Sequence, residues 1–201
     1  MEISDMSINF MPEINCGKHS ELFPKTIFCV IAGSTGSGKP NLIINLLTSK
    51  NALDYSDVYI YSSTLHQRGY QYLKEIYGKL ENYFKNIYKK SIKIAYFLNA
   101  DEEIQDPSKL DTNTNHIMIF DDVMLKDQAQ IKEYFCIGRH NNINVFYLCQ
   151  SLNKIAKHCI KDNANIFIFV KQNDKTLKYF YESHISGDMD LKEFKSFCDE
   201  A

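Results

Sequence analysis

One segment near the N-terminus constrains the fold of this chain more than any other. An apolar run at 26–32 precedes the sequence Gly-Ser-Thr-Gly-Ser-Gly-Lys-Pro at 33–40, and apolar residues then recur with helical spacing at Leu42, Ile43 and Leu46. This is the order of a buried strand, a glycine-rich loop and an amphipathic helix. The loop follows the P-loop pattern G-x-x-x-x-G-K-[ST] at every defined position except the last. The segment therefore predicts an α/β fold with a phosphate-binding loop after a buried strand.

The loop predicts the chemistry of its ligand as well as its shape. Its glycines allow backbone conformations that direct successive N–H groups, together with the N-terminus of the helix, towards phosphate oxygens. We expect a nucleoside triphosphate, with Lys39 reaching the β- and γ-phosphates as a catalytic residue. The residues predicted to bind it are those of the loop and the start of the helix: Gly33, Ser34, Thr35, Gly36, Ser37, Gly38, Lys39, Pro40 and Asn41.

Pro40 is the one departure from the pattern. A Ser or Thr hydroxyl at this position coordinates Mg²⁺, whereas proline has neither a hydroxyl nor an N–H. Because proline fits the first turn of a helix, we expect the fold to survive and metal-dependent turnover to suffer. Three interpretations stay open: a protein that binds nucleotide but hydrolyses it slowly, recruitment of Mg²⁺ through Asp121 and water, or an altered copy of an active parent protein.

A second motif lies about 80 residues further along the chain. The apolar run Ile117–Phe120 ends in Asp121 and Asp122, which is the Walker B pattern of a strand followed by two carboxylates. Asp121 is the predicted Mg²⁺ residue, and Asp122 would orient or deprotonate an attacking water as a catalytic residue. An Asp pair after a strand also occurs in turns and at helix N-caps, so this motif alone is weak evidence for Walker B. Its position about 80 residues after a P-loop makes the Walker B interpretation strong.

Two further residues are predicted to act in catalysis. Gln150 ends the apolar run 145–149, where a parallel sheet would place it beside the two carboxylates to sense the γ-phosphate or position water. Arg139, in the sequence Gly-Arg-His-Asn-Asn before the same run, is a candidate to stabilise phosphoryl-transfer charge in a neighbouring subunit's site. The alternatives are an ordinary polar residue at a strand end and a surface arginine.

The remaining pattern alternates strands with helices, which predicts a parallel α/β sheet with ligands at the carboxyl ends of its strands. Residues 1–25 are expected to be an irregular lead-in or an edge strand, and 26–201 a single domain. Predicted strands cover 26–32, 58–61, 93–98, 116–120, 143–149 and 166–170. Predicted helices cover 39–49, 66–90 with a break near Gly78, 127–137, 152–161, 174–184 and 188–198, the last with a cap.

Composition narrows the partners and the compartment. The net charge is −2, so no overall basic field attracts nucleic acid, and any DNA contact must be local. The lysine-bearing stretches 85–93 and 154–161 are candidates to line a pore or, more commonly, solvated helix faces. The six cysteines form no C-x-x-C pair, which argues against a zinc site and favours a reducing compartment. We see neither a signal peptide nor a membrane-spanning run.

Taken together, these motifs resemble the FtsK/HerA superfamily. The similarity is strongest to DNA-packaging ATPases of poxvirus-type large DNA viruses, virophages and Polinton-like elements, and its most specific part is the run R-H-N-N-I-x-V…Q at 139–150. It covers about residues 26–185. The fold implied is a P-loop NTPase with a mainly parallel sheet sandwiched by helices and an additional strand between the Walker A and Walker B strands.

The resemblance also implies a function and the roles of individual residues. Members of this family form oligomeric rings that hydrolyse ATP with Mg²⁺ to drive viral double-stranded DNA into a preformed capsid, docking on portal or vertex proteins inside the infected host cell. Carried over, Lys39 binds phosphate, Asp121 holds magnesium and Asp122 is the catalytic acid. Gln150 is the sensor and Arg139 the candidate arginine finger. Pro40 departs from the family pattern and places hydrolysis in question.

Two other function classes compete with the packaging motor. One is a nucleotide-binding structural or regulatory subunit whose hydrolysis is weakened or lost because of Pro40. The other is a small P-loop kinase, which would need an arginine-rich lid. This is the weaker alternative, because Arg139 is the only arginine between residues 127 and 185.

Overall fold

The computed structural model describes residues 19–50, 52–89, 91–123, 128–152, 155, 157–170 and 172–200. Strands and helices alternate along the chain. The strands are β1 (Phe28–Gly33), β2 (Asp57–Ser62), β3 (Ala95–Asn99), β4 (His116–Asp121), β5 (Ile143–Cys149) and β6 (Ile166–Val170). The α-helices are α1 (Lys39–Thr48), α2 (Arg68–Tyr88), α3 (Ala129–Ile137), α4 (Asp174–Phe180) and α5 (Leu191–Glu200). Short 3-10 turns cover Pro107–Lys109 and Gly138–Asn141, and π-helical turns cover Lys157–Lys161 and Tyr181–Ile185.

The strands form one six-stranded sheet in the order β3-β2-β4-β5-β1-β6, and every described pairing is parallel. Strand β5 lies between β1, which leads into the glycine-rich loop, and β4, which ends in the carboxylate pair. The predicted α/β sheet with an additional strand between these two is therefore confirmed. The three central strands are buried along their whole length, which explains why they read as continuous apolar runs rather than as alternating patterns.

Helices cover both faces of the sheet. On one face, α1 and α2 bury an apolar stripe against strand residues that point the same way: Cys29, Ile31, Ile60, Ile119, Phe146 and Leu148. On the other face, α3, α4 and α5 pack against the alternate set: Phe28, Val30, Met118, Phe120, Val145 and Tyr147. Helices α1 and α2 approach each other closely at Gly69, where a Cβ would lie 2.5 Å from Cδ1 of Ile44.

The predicted break of the long helix near Gly78 is wrong. Helix α2 runs without interruption from Arg68 to Tyr88. Glycine in a helix interior costs about 1 kcal/mol relative to alanine. The stripe that α2 buries on either side of Gly78 outweighs that cost: Tyr70, Leu73, Tyr77, Leu80 and Phe84.

Other differences from the predicted elements are local. The helix expected at 174–184 ends as an α-helix at Phe180 and continues as a π-helical turn. The expected helix at 152–161 is present as the turn Lys157–Lys161, and residues 153, 154 and 156 lie outside the described part. The last helix begins at Leu191, because the side chain of Asp190 accepts hydrogen bonds from the backbone N–H groups of Lys192 and Glu193.

One lysine proposed for a pore is placed elsewhere. Lys161 is buried, and its ammonium group donates to the hydroxyl of Tyr179 at 2.9 Å, so it cannot contact DNA from this position. Lys154 lies outside the described residues, as does the lead-in up to residue 18. Cys29 and Cys149 are buried and free, in line with reduced cysteines that pack as small apolar side chains. No helix within the described ranges is long and apolar enough to cross a membrane.

Candidate active site

A cavity of about 330 Å³ opens at the carboxyl ends of β1, β4 and β5. The glycine-rich loop forms one wall, the carboxylate pair the opposite wall, and Gln150 stands at the tip of β5 between them. The sheet order produces this convergence, because parallel neighbouring strands end at the same edge. The residues that line the cavity are Thr35, Gly36, Ser37, Gly38, Lys39, Pro40, Asn41, Thr64, Gln67, Asp121, Asp122, Leu148, Cys149 and Gln150.

The loop holds its shape through three glycines that no other residue replaces without strain. Gly36 and Gly38 have φ of +75° and +91°, in the left-handed region that side chains disfavour. Gly33 is required for a different reason, since a Cβ there would lie 2.5 Å from Oγ of Ser37 and 2.7 Å from the carbonyl oxygen of Val170. The hydroxyl of Ser37 is itself buried without a hydrogen-bond partner in the described part of the chain. The loop therefore keeps one hydroxyl donor that no described group accepts.

Pro40 is the second residue of α1. The first backbone hydrogen bond of this helix is donated by the N–H of Leu42 to the carbonyl of Gly38 at 3.1 Å. An N–H at position 40 would have no intrahelical acceptor, so its absence costs the helix nothing. The expectation that the fold tolerates Pro40 is confirmed. The side chain lines the cavity where the pattern has a hydroxyl.

Lys39 is buried although it carries a charge. Its Nζ donates to the carbonyl oxygens of Gly33 at 2.7 Å and Ser34 at 3.0 Å. These two bonds hold the ammonium group at the loop, within the same cavity as the carboxylates. The position gives the cavity its fixed positive charge, which is what a phosphate group requires.

Asp121 ends β4 as a buried carboxylate. One of its oxygens, Oδ2, accepts hydrogen bonds from the hydroxyls of Tyr70 at 2.7 Å, Ser62 at 3.1 Å and Thr64 at 3.4 Å. Burial raises the pKa of Asp121 above its ordinary value, while the bonds from Tyr70 and Ser62 act in the opposite direction. A bound cation would likewise favour the ionised form.

Asp122 follows in a strained conformation. Its φ is +54°, in the left-handed region, at a cost of about 1 kcal/mol for a residue other than glycine. Unlike Asp121, its side chain is exposed to the cavity. Gln150 donates from Nε2 to Oδ1 of Asp122 at 3.2 Å, so the structure brings these two predicted residues into direct contact.

Arg139 is not part of this cavity. It lies in the turn before β5, at the amino end of the sheet, with its guanidinium 5.5 Å from the ring centroid of Phe28. The seven residues of β5 lie between it and Gln150 and span about 23 Å at ~3.3 Å per residue. It cannot act on a nucleotide bound in its own subunit, and its predicted role in a neighbouring subunit stays a prediction.

Four residues of the site were missed in the sequence. Ser62 and Thr64 belong to the polar run at the end of β2, which would have indicated a site only if β2 had been known to lie beside β4. Gln67 lines the cavity from the same connection. Tyr70 gave no signal, because its hydroxyl reaches Asp121 only through the packing of α2 on the sheet.

The donor set fits a hard cation bound together with a nucleotide. Among the described residues no group of three or more His, Cys, Asp or Glu side chains is placed to hold a metal ion alone. Magnesium bound with phosphates needs only one or two protein carboxylates, the remaining ligands being phosphate oxygens, hydroxyls and water. Asp121 would hold it, and the side chains hydrogen-bonded to its Oδ2 are the hydroxyls of Ser62, Thr64 and Tyr70.

Comparison with known proteins places this geometry in a family. The family model described as poxvirus A32 protein matches residues 17–190. No curated protein sequence matches the chain. The predicted resemblance to poxvirus-type proteins is therefore confirmed at the level of this family.

Solved structures with the same fold include the genome packaging NTPase B204 from Sulfolobus turreted icosahedral virus 2. Its complex with AMP is 16% identical with a TM-score of 0.54, over 86% of this chain and 88% of that one. Its complex with ATP-γ-S is 16% identical with a TM-score of 0.51, over 85% and 86%. The cytoplasmic domain of EssC is 17% identical with a TM-score of 0.50 over 82% of this chain, which spans 35% of that domain's length. At these identities the likeness establishes a shared fold.

Proposed function

Because this chain belongs to the poxvirus A32 protein family, we propose that it is an ATP-hydrolysing motor that moves viral double-stranded DNA into a preformed capsid. The solved structure with the same fold that supports this proposal is described as a genome packaging NTPase, in complexes with AMP and ATP-γ-S. ATP is the proposed nucleotide and Mg²⁺ the proposed metal.

One observation carries the proposal: the P-loop, the carboxylate pair and Gln150 meet in one cavity. Lys39 brings positive charge to the loop, and Asp121 and Asp122 bring two carboxylates to the opposite wall. Two neighbouring carboxylates in different environments suit different tasks. The buried and anchored Asp121 suits a fixed metal ligand, whereas the exposed Asp122 suits proton transfer from water.

The roles of the residues follow from these positions. Lys39 and the loop N–H groups bind and orient the phosphates. Asp121 holds Mg²⁺, which when bound neutralises charge on the transferring phosphoryl group. Asp122 orients a water molecule and accepts its proton. Gln150, at the tip of β5, donates to Asp122 and acts as the sensor of the γ-phosphate.

The partners belong to the same proposal. Arg139 lies on the opposite edge of the sheet from the cavity, so it can reach a nucleotide only in another copy of the chain, which favours a homo-oligomeric ring. Exposed lysines at the end of α2 (Lys85 and Lys89) remain candidates for DNA contact. Capsid portal or vertex proteins are the proposed docking partners, in the interior of the infected host cell.

The test is steady-state ATP hydrolysis by the purified protein with and without double-stranded DNA. We expect DNA to raise the rate, the increase to fall as salt is raised, and Lys39→Ala to abolish hydrolysis. Lys25, an exposed lysine outside the cavity, provides the matched control as Lys25→Ala. An equal rate in wild type and Lys39→Ala would contradict the proposal.

A second candidate is a nucleotide-binding subunit with weakened or lost hydrolysis. The observation that favours it is Pro40, which lines the cavity without offering a hydroxyl. Tight binding of ATP with negligible turnover, and a large gain in turnover from Pro40→Thr, would support this candidate over the motor.

A further inference from the structure

Three hydroxyl groups surround the carboxylate proposed to hold magnesium. Those of Ser62, Thr64 and Tyr70 all donate to the same oxygen of Asp121, Oδ2, at 3.1, 3.4 and 2.7 Å. Three donors to one oxygen are more than is needed to fix the orientation of a carboxylate. The longest of the three bonds is that of Thr64, so this hydroxyl is the least committed to Asp121.

The three hydroxyls differ in what else they reach. Ser62 and Tyr70 are fully buried and do not line the cavity. Thr64 is half-buried and lines it, together with Pro40 and Asp121. Of the three, only Thr64 is therefore placed to contact both Asp121 and a ligand in the cavity.

The position of Thr64 is fixed by the backbone around it. Its N–H donates to Oγ of Ser62 at 3.0 Å, and the two hydroxyls lie 3.0 Å apart. Ser62 is itself the register partner of Asp121 in the sheet. The chain thus carries Thr64 rigidly from the end of β2 to a point beside the proposed metal ligand.

Pro40 leaves a specific need that Thr64 meets. A P-loop normally supplies one hydroxyl to Mg²⁺ from the position that proline occupies in this chain. Magnesium prefers oxygen donors, and a threonine hydroxyl beside a carboxylate is chemically equivalent to the missing group. We propose that Thr64 is a metal-ligating residue that supplies to Mg²⁺·nucleotide the hydroxyl that Pro40 lacks. This inference rests on the proposed function, because it assumes that the cavity binds a nucleotide with its metal.

The experiment measures nucleotide affinity rather than turnover. Binding of a fluorescent ATP analogue is titrated with Mg²⁺ and again with EDTA, and the ratio of the two affinities gives the contribution of the metal. We expect Thr64→Val to reduce this ratio by roughly tenfold or more, while the affinity in EDTA stays at the wild-type value. Thr64→Ser, which keeps the hydroxyl, is expected to retain the ratio. Titration of Mn²⁺ in the presence of ADP, followed by electron paramagnetic resonance, should show the same loss of metal affinity.

A rescue and a matched control separate ligation from positioning. Adding Pro40→Thr to Thr64→Val restores a hydroxyl on the other side of the cavity, and we expect it to recover the metal contribution. Tyr70→Phe removes a donor to the same oxygen of Asp121 without changing the cavity wall, and Pro40→Thr is not expected to compensate for it.

Two results would overturn the inference. The first is a Thr64→Val variant with an unchanged metal contribution. The second is a variant that behaves like Tyr70→Phe and is not rescued by Pro40→Thr, since Thr64 would then act only through Asp121. Both differ from a failure of the proposed function itself, in which the wild-type protein binds no nucleotide and both proposals fall.

Discussion

The two edges of the parallel sheet both carry polar side chains, but these side chains have different surroundings at each edge. At the amino edge, Asn144 accepts hydrogen bonds from the N–H of Ile27 at 2.9 Å and from His19 at 3.1 Å, and donates to the carbonyl of His116 at 3.3 Å. At the carboxyl edge, the hydroxyl of Ser37 is buried without a partner in the described part of the chain, and Asp122 is held in a strained conformation. Asn144 at the amino edge is satisfied within the protein, whereas at the carboxyl edge the Ser37 hydroxyl has no described partner and Asp122 faces the cavity.

This difference teaches which polar residues carry function. His116 pairs with Asp57 at 2.6 Å and contacts the carbonyl oxygen of Asp111 at 2.8 Å, so this titratable residue has partners on both sides of its ring. Polar groups that pair only with one another stabilise the fold. The polar groups that face a cavity, as Asp122 and Gln150 do, are available for chemistry.

The largest effect should come from the carboxyl edge. Asp122→Asn keeps the shape and tolerates the left-handed conformation, but it removes the proposed proton acceptor. We expect the rate of ATP hydrolysis to fall by about 10²- to 10⁴-fold while the thermal midpoint stays near the wild-type value. Steady-state kinetics and thermal unfolding measure the two quantities. A rate close to that of the wild type would remove Asp122 from the mechanism.

At the amino edge we expect a substitution to lower stability and to leave nucleotide binding unchanged. Asn144→Leu preserves volume but leaves the N–H of Ile27 and the ring of His19 without their partner. We expect a loss of about 2–3 kcal/mol in the free energy of unfolding, measured by urea denaturation, with unchanged affinity for nucleotide.

A matched control lies at the same edge. Asn165 bridges β1 to β6 in the same manner, accepting from the N–H of Phe28 at 2.8 Å and donating to the carbonyl of Thr26 at 2.8 Å, but it is exposed. Because water can replace its hydrogen bonds, Asn165→Leu should destabilise the protein less than Asn144→Leu. Equal losses would show that burial of the amino edge does not matter.

A smaller, pH-dependent effect is expected at His116. Burial alone would lower the pKa of His116, but the hydrogen bond and charge of Asp57 raise it above its ordinary value. A raised pKa in the folded state contributes stability that is fully present below the unfolded pKa of about 6.5 and is lost as pH rises through the folded value. The difference in free energy of unfolding between wild type and His116→Gln should therefore be larger at pH 5.5 than at pH 8.5. A difference that grows with pH would contradict this assignment.

We expect the smallest effect from a substitution in the middle of α2, away from both edges. Gly78 lies within α2, which runs from the carboxyl edge to the amino edge, and a Cβ there would meet no atom within 4 Å. Gly78→Ala should raise the free energy of unfolding by about 0.5–1 kcal/mol and leave hydrolysis unchanged.

Local features of the fold could be predicted from the sequence more successfully than features that depend on tertiary packing. Strands β5 and β6 have the bounds expected from their apolar runs. Strand β5 is buried along its whole length, and the half-buried edge strand β6 is also continuously apolar. The break expected near Gly78 failed because a local propensity was outweighed by tertiary burial. The P-loop and the carboxylate pair are visible in the sequence as short runs.

The remaining parts of the site depend on which elements are neighbours in space. Thr64 and Tyr70 reach Asp121 only because β2 pairs with β4 and α2 packs over them, and no local pattern encodes that arrangement. Arg139 was correctly placed before β5, but its distance from the cavity becomes apparent only from the direction of the strand.

The most direct test of the contrast between the edges is hydrogen exchange of the backbone amides with and without Mg²⁺·ATP-γ-S. Bound nucleotide should slow exchange in the loop and first turn of α1, residues 33–41, and leave exchange at Ile143–Val145 unchanged. Slower exchange at the amino edge alone, or no change at residues 33–41 at saturating nucleotide, would contradict the assignment of the carboxyl edge as the nucleotide site.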